Sequence, residues 1–117
     1  KDCGDTMTTV MKPWGSYDVI FERKDFKVKL ICVDKGKKLS LQKHLKRSES
    51  WVVLKGHPVV TKGKSKVLLN PEQSIYIPKE EVHRLDAPHD NVEIMEVQHG
   101  VCDEEDIERL SDDYGRV

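Results

Sequence analysis

The sequence predicts an all-β domain that ends in one short helix. Two observations carry the β assignment: apolar residues fall in short alternating runs, and turn residues separate those runs at close intervals. A third carries the helix, because only the terminal segment changes to a cluster of acids followed by apolar residues three apart. The chain has 117 residues, 37% of them hydrophobic and 35% charged. That suits one domain with a modest core and a heavily charged surface.

The runs read as strands in order. "SYDVIF" (16–21) is the first. In "DFKVKLICVD" (25–34), Phe26, Val28, Leu30 and Cys32 alternate and are expected to share the buried face. Lys35-Gly36 then turns the chain, and "KLSLQKHLK" (38–46) forms the next strand. "WVVLKG" (51–56) and "HPVVTKG" (57–63) read as neighbours meeting at a tight turn. "SKVLLN" (65–70), "QSIYIP" (73–78), "EVHRL" (81–85) and "VEIMEVQHG" (92–100) complete the series. Such a series suggests a sandwich or barrel. In "DEEDIERLSDDYG" (103–115), acids occupy the first turn, Ile107 and Leu110 share a face, and Gly115 stops the helix.

Other features narrow the function classes. No apolar run approaches the length of a membrane span, and no secretory leader pattern is visible, so a cytoplasmic protein without membrane contact is expected. Cys3, Cys32 and Cys102 show no paired spacing and read as reduced thiols, Cys32 as core. Net charge is −1, which calls for no nucleic acid. Ten Lys or Arg lie between Lys35 and Lys66 against the single acid Glu49. A solvated face explains this most simply, and attraction of a small anion is the functional reading. The first residue is Lys1, and residues 1–11 are expected to precede a single domain at 12–117.

The stretch with chemical content is Gly36 to Gly56. On a strand ending at Lys46, the side chains of Gln42, His44 and Lys46 share a face, and a turn or bulge at Arg47-Ser48 would return Glu49 to the same centre. His83 follows Pro78 in "IPKEEVHRL". Two imidazoles, a carboxylate and an amide oxygen suit a borderline divalent ion. Taken singly, each of the four reads first as hydrogen-bonded packing. His57, His89 and His99 lack such partners and read as surface or turn residues. Trp14, Trp51 and Tyr76 read as packing anchors before ligand-stacking surfaces.

The combined spacing resembles the cupin superfamily. Its first motif, G-x5-H-x-H-x4-E-x6-G, is matched by Gly36, Gln42, His44, Glu49 and Gly56, with Gln replacing the first His. Its second, P-x-G-x2-H-x3-N, is matched at Pro78 and His83, with Glu80 and Ala87 replacing Gly and Asn. Further stretches, among them "KPWGSYDV", "YIPKEEVHRL", "IMEVQHG" and "EEDIERLSDDYGR", resemble the type II mannose-6-phosphate isomerase family over Lys12 to Arg116. In many members of that family this cupin follows a mannose-1-phosphate guanylyltransferase, whose Gly-rich nucleotide loop has no counterpart here. A stand-alone cupin or an excised cupin domain is therefore expected. The chain departs from the family pattern at Leu45, Lys46, Ser50, Ala87 and Asp113.

The resemblance implies a double-stranded β-helix, or jelly roll, holding one divalent metal on Gln42, His44, Glu49 and His83. Zinc is expected first, with manganese, iron, cobalt or nickel as alternatives. It implies interconversion of mannose 6-phosphate and fructose 6-phosphate, with Lys46, Arg109 and Arg116 as candidates for phosphate contact or proton transfer. The base stays open among Glu80, Glu81 and a water. A homodimer is the expected assembly. The alternative function is a cupin acting on a different sugar or small anion. A basic interaction module binding an acidic partner or nucleic acid is the third reading, and no nucleic-acid motif supports it.

Overall fold

The computed structural model describes residues 9–115, and among them it contains strands and turns but no helix. Eleven strands run β1 (Val10–Lys12), β2 (Gly15–Glu22), β3 (Phe26–Val33), β4 (Leu41–Lys43), β5 (Arg47–Lys55), β6 (Val59–Lys62), β7 (Ser65–Leu68), β8 (Ser74–Ile77), β9 (His83–Asp86), β10 (Val92–Gly100) and β11 (Glu108–Ser111). They form a six-stranded sheet in the order β1-β2-β3-β10-β5-β8 and a five-stranded sheet in the order β11-β4-β9-β6-β7. Every strand pairing is antiparallel. The all-β jelly roll expected from the sequence is the architecture found. No helix among the described residues is long and apolar enough to cross a membrane.

The inner face of the six-stranded sheet is divided along its strands. β10 pairs Ile94 with Ile31 and Val53, and Val92 with Val33. These side chains are buried with Val60, Ile77 and Leu85 in one apolar cluster. Two residues further along, the same face turns polar. Glu96 lies opposite Lys29 and Trp51, and Gln98 opposite Lys27 and Glu49. All six of these residues are buried. The apolar end supplies the burial that drives folding, and the polar end needs a partner for each group it desolvates.

This division reverses the expectation for β3. Phe26, Val28 and Leu30 are half-buried on the outer face, whereas Lys27, Lys29, Ile31 and Val33 point inward. Alternation alone cannot report a strand whose inward positions include paired cations. The ammonium groups are compensated inside: Lys29 Nζ lies 2.6 Å from Glu104, and Lys27 Nζ lies 3.5 Å from both Glu22 and Glu104. Cys32 is buried in β3 and disulfide-bonded, unlike the expected reduced thiol, while Cys102 is free.

The expected C-terminal helix is absent. Glu108–Ser111 instead pairs with β4 at the edge of the five-stranded sheet. A segment this short is a marginal helix alone, and an open strand edge satisfies its backbone better. The strand expected at 38–46 shrinks to Leu41–Lys43, preceded by an isolated bridge from Lys38 to Asp86. Segments 51–56 and 57–63 are not sheet neighbours, because β5 and β6 belong to different sheets. Val10 and Met11, expected in the extension, pair with Tyr17 and Ser16.

The two motif glycines have separate reasons. Gly36 adopts φ +82 in an open turn, a conformation unfavourable for other residues. Gly56 combines φ +85 with close backbone approach, since a Cβ there would stand 2.3 Å from the Asn91 carbonyl oxygen.

If the apolar end carries the stability, Ile94→Ala should lower the unfolding free energy in urea by about 2–5 kcal/mol. Leu54→Ala, on the exposed side of β5, should change it by no more than about 0.5 kcal/mol.

Candidate metal centre and its cavity

The polar end of the interior opens into a cavity of about 140 Å³. Both sheets contribute. From the five-stranded sheet, Arg109 and Gln42 line it, and His83, which does not, stands on the other side of Gln42: β11 pairs Arg109 with Gln42 and β9 pairs His83 with Gln42. From the six-stranded sheet come Glu49 on β5 and Glu96 on β10. His44 follows β4 at the turn that joins the two sheets.

His44, Glu49 and His83 converge, with one ligand atom of each within 4.8 Å of the others. His44 Nε2 lies 3.2 Å and His83 Nε2 3.8 Å from Glu49. Both imidazoles are oriented from behind. His44 Nδ1 lies 2.6 Å from the Asp106 carbonyl oxygen and His83 Nδ1 lies 2.8 Å from that of Glu81. A carbonyl only accepts, so each Nδ1 carries the proton and donates it. Each Nε2 is left with a lone pair aimed at Glu49. Burial disfavours the charged imidazoles: His44 is lowered to about 4, with Arg47 adding to the effect, and His83 is lowered as well.

Lone pairs facing a carboxylate need a cation between or beside them. Arg47 supplies one charge. Its Nε donates to Glu49 Oε2 at 2.9 Å, its Nη2 stands 3.3 Å from His44 Nε2, and its Nη1 donates to the Asp103 carbonyl at 3.1 Å. His83 Nε2 is buried without any partner. This orphaned acceptor, beside two more lone-pair donors and the buried amide of Gln42, is the donor set a borderline divalent cation takes. The residues fit a metal.

Behind the cluster, Trp51 Nε1 donates to Glu49 Oε1 at 3.1 Å and to Glu96 Oε2 at 3.0 Å, and Gln98 Nε2 donates to Glu96 Oε1 at 2.7 Å. The indole edge packs against the His83 ring at 5.6 Å. Glu96 is pushed up to about 8, first by burial and then by the charge of Glu49.

The other residues singled out from sequence fall differently. Arg109 lines the cavity. Lys46 does not, because β4 ends at Lys43 and the following turn leaves Lys46 exposed and places Arg47 inside. Glu80 is exposed at φ +67, and the backbone carbonyl of Glu81 serves His83. Arg116 lies outside the described residues. Lys12, Tyr17, Arg47, Glu96 and Glu104 also line the cavity and were not singled out. For Arg47, the two-residue spacing to Glu49 and then Trp51 is a signal present in the sequence.

Residues 1–112 match the family described as Mannose-6-phosphate isomerase C-terminal. The chain belongs to that family. It is 49% identical over 110 residues to the alginate biosynthesis protein AlgA of Pseudomonas aeruginosa, covering 92% of this chain and 23% of AlgA. It is 46% identical to the xanthan biosynthesis protein XanB of Xanthomonas campestris, covering 92% and 24%. It is 41% identical to the mannose-1-phosphate guanylyltransferase ManC of Salmonella typhimurium, covering 92% and 23%. The chain thus spans about a quarter of the length of these curated relatives. Its fold is similar to that of KdgF from Halomonas sp., with a TM-score of 0.75 at 14% identity over 82% of this chain and 86% of that one. It is also similar to the cupin-2 domain protein Rru_A2000 of Rhodospirillum rubrum, with a TM-score of 0.66 at 19% identity over 78% and 67%. These two establish the cupin fold.

Removing Arg47 should leave the buried Glu49 charge uncompensated. In metal-free protein, Arg47→Met is expected to cost about 3–5 kcal/mol in urea unfolding. Adding Glu49→Gln should recover part of that loss, so the double variant costs less than the two singles summed.

Proposed function

We propose that this chain is a divalent-metal-dependent aldose–ketose isomerase that interconverts mannose 6-phosphate and fructose 6-phosphate. The observation that carries the reading is the unpartnered His83 Nε2, converging with His44 and Glu49, two residues of the cavity wall, in a chain from a mannose-6-phosphate isomerase family. His44, Glu49, His83 and Gln42 would hold the ion, with zinc the first choice for two imidazoles. Bound there, it would supply Lewis acidity at a sugar oxygen.

The protein's own groups account for the remaining requirements. Proton movement between C1 and C2 needs an acid–base group inside the cavity. Glu96 and Glu104 line it, and Glu80 and Glu81 do not. Trp14 and Trp51 wall the cavity with aromatic surface, which suits the apolar faces of a sugar and excludes water.

The positions that depart from the family pattern support transferring the activity. Leu45 and Lys46 are exposed. Ser50 pairs with Val97 and Tyr76 on the outer face of the six-stranded sheet. Ala87 is buried in the apolar cluster, and Asp113 pairs with Lys38 at 3.7 Å. None of the five lines the cavity, so the alternative of a different sugar or anion draws no support from them.

The test is a coupled assay for fructose 6-phosphate formed from mannose 6-phosphate. Chelator-stripped protein should be inactive, regain turnover with zinc, manganese or cobalt, and lose it in His44→Ala. Absence of turnover with every metal would refute the assignment.

A further inference from the structure

The cations around the cavity fall into two groups. Arg47, on the cavity wall, and Lys27 and Lys29, which do not line it, each have a carboxylate within 4.0 Å. Lys12 and Arg109 line the same cavity and have none among the described residues. Lys12 Nζ lies 6.0 Å from the centre of the Tyr17 ring. Arg109 Nε is shut off from solvent and has no hydrogen-bond partner. A guanidinium N–H desolvated without an acceptor is costly, and the acids adjacent to Arg109 in sequence do not relieve it: Glu108 pairs with Lys43.

The topology explains why these two side chains come together. β1 is the first edge strand of one sheet and β11 the first edge strand of the other. Lys12 and Arg109 therefore line the cavity from edge strands of different sheets. Gln42, beside Arg109 in the pairing of β4 with β11, links this pair to the candidate metal ligands.

From this we propose that Lys12 and Arg109 form an anion subsite for a phosphate group, with Arg109 as the forked donor and Lys12 as the point charge. Two unneutralised cations across one opening match a dianion with several acceptor oxygens. The inference deepens the isomerase reading, on which it rests for the sugar that carries the phosphate. It fixes the substrate's direction, with the phosphate toward Lys12 and Arg109 and the reacting carbons toward His44 and Glu49.

Titration calorimetry on the described chain tests this without requiring turnover. The probes are mannose 6-phosphate, inorganic phosphate and mannose. Controls are Lys66→Gln on β7, at the opposite edge of the five-stranded sheet, and near-ultraviolet circular dichroism for folding. Wild-type protein and Lys66→Gln should bind both phosphate probes, with mannose at least about tenfold weaker than mannose 6-phosphate. Arg109→Gln and Lys12→Gln should each weaken phosphate binding by about tenfold or more, Arg109→Lys should recover part of it, and added salt should weaken it throughout. Unchanged phosphate binding in the folded Gln variants, or no phosphate binding by wild type, would overturn the subsite. A protein that binds phosphate through these residues and never isomerises would refute the activity and leave the subsite standing. An active protein whose Arg109→Gln and Lys12→Gln variants keep the wild-type KM would do the reverse.

Discussion

The buried carboxylate of Glu49 is the constraint around which the interior is arranged. A desolvated carboxylate is tolerated only when hydrogen-bonded and countered by positive charge. Arg47 and Trp51, two residues to either side on the same inward face of β5, each donate to one of its oxygens. Trp51 is also the seam between the two halves of the interior. Its ring belongs to the apolar cluster and its N–H to the carboxylates. The sheet can therefore be hydrophobic enough to fold at one end and polar enough to hold a cation at the other.

The acid-rich segment after β10 makes sense on the same terms. A helix would have kept its backbone groups for itself. Folded as a turn and loop, the segment offers two of its carbonyls to the site. The Asp103 carbonyl receives Arg47, and the Asp106 carbonyl receives His44 Nδ1. The Asp106 carboxylate accepts the N–H groups of Leu45 and Lys46 at 3.0 and 2.9 Å, closing the turn that carries His44. Glu104 reaches Lys29. A run of acids that reads as helix-dipole complementarity is thus a set of partners for cations and amides of the barrel.

Much of this was legible in the sequence, for identifiable reasons. β10 spans the expected Val92–Gly100 because a nine-residue alternation bounded by a turn and a glycine leaves little freedom. The spacing Gly36, Gln42, His44, Glu49, Gly56 located the centre because it encodes a turn, two inward residues and a return strand. What failed was local reasoning about faces. In β3 the apolar alternation points outward, because paired lysines occupy the inward positions. Alternation aligns Lys46 with His44 on one strand, but β4 ends at Lys43 and the turn that follows exchanges Lys46 for Arg47. The edge pairing that turns Glu108–Ser111 into a strand depends on β4, a contact far away in sequence. Lys12 reaches the cavity through the pairing of β1 with β2, which the local sequence does not announce.

The central claim is that the lone pairs of His44, Glu49 and His83 are arranged for one divalent cation. Titrating chelator-stripped protein with cobalt(II), read by its visible absorption and by calorimetry, tests it most directly. The account requires one ion per chain, and loss of that binding in a folded His83→Ala variant. Failure to bind any ion, or binding unchanged by the loss of His83, would contradict it.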